Sequence, residues 1–240
     1  MVNQLQQYID DLESLDASTR AAAADAIRDL GESAWSAAPA LYAALLRESD
    51  ACPAVGTALT HIGPLSPDLD ALKSGLQSDN SHVRFWAART SVKLGSDAEP
   101  LVPVFISLLC DPELPVRDSV VWALGVVGVP AIASLIDAAR GHDAELRGRA
   151  VLALGRYPGD AAMKLPVIIE SLDDPEAEVR RLAALAICSL GQSAHPDRSV
   201  YDDDTFSMLL DSIDRIADDD TVEVDAEWFG RIRGWLRPSA

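Results

Sequence analysis

A short signature returns six times along this chain in one register, and that return limits the folds open to it. The units close at Gly31, Gly63, Gly95, Gly128, Pro158 and Gly191, in steps of 32, 32, 33, 30 and 33 residues. Twelve residues before each closing position stand Thr19, Ala51, Val83, Val116, Leu146 and Val179. An arginine follows in five of the six, as Arg20, Arg84, Arg117, Arg147 and Arg180, while the second unit has Cys52 there. A period in this range marks a stack of supersecondary units, none of which buries its apolar face without its neighbours.

Counted from the start of each signature, small or apolar residues recur four positions on (Ala23, Val55, Ala87, Val120, Ala150, Ala183). They recur at seven with Ala26, Ala58, Thr90, Ala123, Ala153 and Ala186, and at eleven with Leu30, Ile62, Leu94, Val127, Tyr157 and Leu190. Offsets of zero, four, seven and eleven share one face of a 3.6-residue helix, and no period-two alternation competes with them. The signature is therefore the second helix of each unit. The first helices are expected at about 2–15, 38–49, 67–77, 98–109, 130–139 and 161–172. Asp16, Asp50, Asp79, Asp111 and Asp174 stand in the joints as candidate N-caps, and the closing glycines read as left-handed helix ends.

Composition suits close helix packing. The chain has 240 residues, 48% of them hydrophobic but only 5% aromatic. A formal net charge of −18 repels nucleic acid and anionic membranes in bulk. Cys52, Cys110 and Cys188 are odd in number and widely spaced, which reads as reduced thiols and a cytoplasmic location. No basic-then-apolar leader and no run long enough to span a bilayer is visible.

Stretches such as Asp79–Gly95, with Val83-Arg84 and Leu94-Gly95, and Asp174–Gly191, with Val179-Arg180 and Leu190-Gly191, resemble the HEAT repeat. The likeness is to the short bacterial and archaeal form that includes the phycobilisome-lyase-like repeats, and it covers roughly Asp10 to Gly191. It is strong in units three to six, fair in the first and weak in the second, where Cys52 and Pro53 stand. The resemblance implies a right-handed α-solenoid of about six helical hairpins over residues 1–191. It also implies a polar ladder between neighbouring units, carried here by Asp79, Asp111 and Asp174 with Arg84, Arg117, Arg147 and Arg180. Beyond Gly191 the register stops, and 192–240 reads as a polar linker followed by two capping helices, about 205–217 and 224–236.

Offsets three, six and ten flank the core stripe and are expected to face the concave side of such a stack. The first unit offers Asp25 and Asp29 there and the second Thr57 and His61. The middle units gather Trp86, Arg89, Lys93, Trp122, Arg149 and Arg156, an aromatic and basic set inside an acidic protein. Tryptophan and arginine are the residue types that dominate interface hot spots. The alternative reading is that both rings fill gaps between units and the arginines pair with acids.

Catalytic signatures are missing from the chain. There is no phosphate loop, nucleophile elbow or dinucleotide fingerprint. His61, His82, His142 and His195 have no metal-ligand spacing, and the runs Asp202–Asp204 and Asp218–Asp220 lack the order of a calcium loop. The expectation is a monomeric, non-catalytic protein- or peptide-binding scaffold or adaptor with no cofactor and no metal. Two other readings remain: a bilin lyase-like chromophore attachment protein or chaperone, and a nucleic-acid-binding protein of the DNA glycosylase type, which the net charge disfavours.

Overall fold

A computed structural model describes residues 2–47, 53–62, 69–156, 161–193 and 211. Among them the chain forms twelve α-helices and no strand. In order these are α1 (Val2–Asp11), α2 (Ala17–Leu30), α3 (Ala38–Arg47), α4 (Pro53–Ile62), α5 (Leu69–Leu76), α6 (Ser81–Ser91), α7 (Val102–Leu108), α8 (Leu114–Val127), α9 (Val129–Ala139), α10 (Ala144–Arg156), α11 (Ala161–Glu170) and α12 (Ala177–Ser193). Apart from Asp211, the expected capping helices lie outside the described residues, as do Asp50, Cys52, Gly63 and Pro158.

Two compact units make up the chain, Met1–Gly128 and Val129–Ala240. In the first, α2, α4, α6 and α8 pack side by side in sequence, and each also packs against the odd-numbered helix before it. In the second, α10 packs on α9 and α12, with α11 touching all three. The fold is an all-α stack of helical hairpins.

The core stripe follows the register. Val83, Ala87, Thr90 and Leu94 are buried in the third hairpin, and Val116, Val120, Ala123 and Val127 in the fourth. The first hairpin buries less of it: Ala23 is enclosed, with Ala24 and Ile27 beside it, while Thr19, Ala26 and Leu30 are only half-buried. Phe105 of α7 is the bulkiest fully buried side chain of the first unit, and burying such a ring stabilises by about 1.5–3 kcal/mol.

Close approach relies on residues without bulk. A Cβ added at Gly155 of α10 would stand 2.3 Å from the Ala186 Cα of α12, so only glycine admits that crossing. The closing glycines Gly31, Gly95 and Gly128 have φ of 57°, 55° and 96°. Their ψ values of −145°, −129° and −150° place them outside the left-handed helical basin expected of a C′ residue. They occupy a more extended region of positive φ that side chains strain to enter.

Local chemistry moves several helix ends from their expected places. Thr90 and Ser91 donate their hydroxyls back to the Trp86 and Ala87 carbonyls, each at 2.8 Å, and α6 stops there. The chain then runs as 3-10 turns over Val92–Leu101, through the kink at Gly95 and past Pro100, so α7 begins at Val102 rather than near Ala98. The N-cap of α6 is Asn80, not Asp79. Helix α12 continues two residues beyond Gly191, to Ser193.

Candidate functional site

The arginine that follows each signature start has one recurring posture. Its Nη1 donates to two carbonyls of the joint behind it, five and six residues back. Arg84 takes Ser78 and Asp79 at 2.9 and 3.0 Å, and Arg117 takes Asp111 and Pro112 at 2.6 and 2.9 Å. Arg20, Arg147 and Arg180 repeat it with Ser14 and Leu15, Gly141 and His142, and Asp174 and Pro175. The guanidinium thus ties the start of α2, α6, α8, α10 and α12 to the joint before it.

Arg84 and Arg147 also reach the next joint. Arg84 Nε and Nη2 donate to Asp111 at 2.6 and 3.0 Å, and Arg147 makes the same fork to Asp174 at 2.9 and 3.0 Å. Each carboxylate also accepts the backbone N–H two residues on, from Glu113 and Glu176. Hydrogen bonding to Asp111 raises Arg84, as bonding to Asp174 raises Arg147, above the usual guanidinium value. Burial pushes the Asp174 carboxyl up, but the bonds from Arg147 and Glu176 outweigh it and hold its pKa below the ordinary value. Asp79 gives Arg84 its backbone carbonyl while its side chain stays exposed. Arg117 Nε, the atom that would enter such a fork, is buried without a hydrogen-bond partner among the described residues.

The aromatic and basic set divides between the two units. Arg89 of α6 lays its guanidinium over the Trp122 ring of α8, with Cζ 4.9 Å from the ring centroid. Trp122 is 51% exposed, which leaves much of the indole open to solvent. Lys93 is exposed in the 3-10 turns that follow α6. Trp86 has a different setting: it meets Phe85 edge-on at 4.9 Å and lies against Gly56 of α4. A Cβ at Gly56 would stand 2.0 Å from the indole Cδ2, so the ring occupies the space that the missing side chain leaves.

In the second unit, Arg149 is 3.9 Å from Glu145 one turn before it. Glu178 is bound by Arg181 at 2.6 Å, and that bond, with a smaller contribution from Arg149, holds its carboxyl below the ordinary value. Arg156 is exposed at the end of α10.

The Arg89–Trp122 contact joins two residues at the same offset on adjacent second helices. By the same offset, Thr57 on α4 and Asp25 on α2 are their counterparts in the two preceding hairpins. Among the described residues no group of His, Cys, Asp and Glu side chains is arranged to hold a metal, and no helix is long and apolar enough to cross a membrane.

The HEAT repeat family model matches residues 101–128 and 165–194. Those two segments read as HEAT repeats. No curated protein sequence matches it. Among solved structures, the complex of CpcE and CpcF of phycocyanin lyase from Nostoc sp. PCC7120 is 19% identical, with a TM-score of 0.47 over 97% of this chain and 93% of that one. Kap95p, solved with RanGDP, is 14% identical with a TM-score of 0.49, over 96% of this chain and 36% of that one. An engineered protein is 20% identical with a TM-score of 0.45, over 79% of this chain and 99% of its own.

Proposed function

We propose that this chain is a cytoplasmic, monomeric, non-catalytic scaffold that binds a protein or peptide on the face of its second helices. The contact centre in the first unit is Arg89, Lys93 and Trp122, with Trp86 as the support behind it. Arg149 and Arg156 offer a second, basic contact in the other unit. HEAT repeats are binding modules in general, and stacked helices give a rigid platform for side chains that meet a partner.

The observation that carries this reading is the exposed Trp122 ring capped by Arg89. A large apolar surface left open in a chain with few aromatics, beside a cation, has the composition of an interface hot spot. An acidic group on the partner would meet Arg89 and Lys93, and an apolar or aromatic one would cover the indole.

The test is a peptide library selected on the full chain, with the enriched peptides measured by fluorescence polarisation. Trp122→Ala and Arg89→Glu should each weaken binding by about tenfold or more, the scale of a hot-spot residue, while circular dichroism stays that of the parent. Selected peptides indifferent to both substitutions would remove this surface as the binding site.

A further inference from the structure

The in-register row across the first unit changes charge along its length. At the α2 end stand Asp25 and Asp29, both partly or largely open to solvent. On α4 the row is neutral at Thr57, whose hydroxyl is spent on the Pro53 carbonyl at 2.6 Å. At α6, the turns that follow it and α8 it becomes basic and aromatic, with Arg89, Lys93 and Trp122. The acids are held by one cation between them: Arg28 pairs with Asp25 and, at 2.9 Å, with Asp29. Two carboxylates against one guanidinium leave that end net negative.

We propose that this face takes an extended, dipolar segment of the partner. An acidic residue beside an apolar one lies over Arg89, Lys93 and Trp122, and a basic residue lies over Asp25 and Asp29. The inference rests on the binding surface proposed above and adds the charge order and spacing of what binds there. Adjacent helices pack about 8–10 Å apart, so two steps from α6 to α2 span about 20 Å. An extended chain rises about 3.3 Å per residue, which sets the two charged groups about six residues apart. Charge complementarity at both ends fixes the register and disfavours segments of a single sign. The contacts lie at the surface, so added salt weakens them.

Three fluorescein-labelled peptides in a Gly/Ser/Thr background test this on the full chain. One carries two lysines six residues from a Glu-Leu pair, one carries them two residues from it, and one has Glu-Leu alone. The six-residue spacing should bind about fivefold more tightly than the other two, the size expected of exposed charge pairs. Asp25→Asn with Asp29→Asn should abolish that preference and leave the binding of Glu-Leu unchanged. Arg28→Gln, which releases both carboxylates, should enlarge it. Absence of a spacing preference, or a preference that survives the double Asn substitution, overturns the dipolar register while leaving the surface itself intact. Glu-Leu binding that ignores Trp122→Ala overturns the surface and this inference together.

Discussion

Helices α6 and α8 are successive copies of one element, and the chain uses them differently. In α6 the register arginine, Arg84, closes a two-pronged bond to Asp111, and Trp86 is laid against the bare backbone of Gly56. In α8 the equivalent Arg117 has a buried Nε with no partner among the described residues, and Trp122 stands half exposed under Arg89. The third and fourth hairpins bury the same four-position stripe. The contrast lies in flanking side chains: α6 lays Trp86 against α4 and ties Arg84 to Asp111, while α8 leaves Trp122 half exposed.

The largest effect should come from making one substitution in both helices. Arg84→Ala strips the counter-charge from Asp111, whose side chain is only 2% exposed, and should cost about 3 kcal/mol or more in urea unfolding, as breaking a buried pair does. Arg117→Ala loses two bonds to joint carbonyls but also removes an unsatisfied N–H, and should cost about 1 kcal/mol. Equal losses would mean that the carbonyl cradle, common to both, carries the stability and that the ion pair adds nothing.

The tryptophans give the next largest difference. Trp86→Ala should cost about 2–4 kcal/mol, somewhat less than a fully enclosed ring, because it empties the space over Gly56. Trp122→Ala removes a ring that is mostly open to water and should move stability by no more than about 0.5 kcal/mol. Thermal unfolding of the two variants beside the parent reads the difference directly. A Trp122→Ala variant as damaged as Trp86→Ala would turn the exposed ring into a packing element and undo the contrast between the helices.

The stacked-hairpin fold was legible in the spacing alone, since the four-position stripe of Val83 or Val116 needs only local periodicity. The flanking side chains needed more. Asp111 gives its carboxylate to Arg84 of the preceding unit and its carbonyl to Arg117 of its own, whereas the unit before Asp79 has Cys52 at the register position, so no register arginine is supplied to reach forward to Asp79. Trp86 and Trp122 stand at different offsets, three and six, and register reads both as neighbours of the core. What separates them is Gly56, thirty residues from Trp86 in sequence and against it in space. The end of α6 at Ser91 came from hydroxyls turning back on their own helix, a competition that apolar periodicity does not register.

The smallest expected effect isolates what α6 lends to α8. Arg89 covers one face of the Trp122 indole at 4.9 Å, and an exposed cation–π contact contributes about 0.5–1 kcal/mol. Arg89→Met keeps an apolar stem near the ring and removes the charge, so the stability change should stay at or below about 0.5 kcal/mol. The ring itself should report the loss: acrylamide quenching assigned to Trp122, by subtraction of a Trp122→Phe variant, should rise in Arg89→Met. Iodide should show a smaller increase, because removing a cation also lowers the local anion concentration. Unchanged quenching by both agents would mean that Arg89 does not rest on the indole in solution. The two residues would then stand as separate surface features, and α8 would present its tryptophan without help from its neighbour.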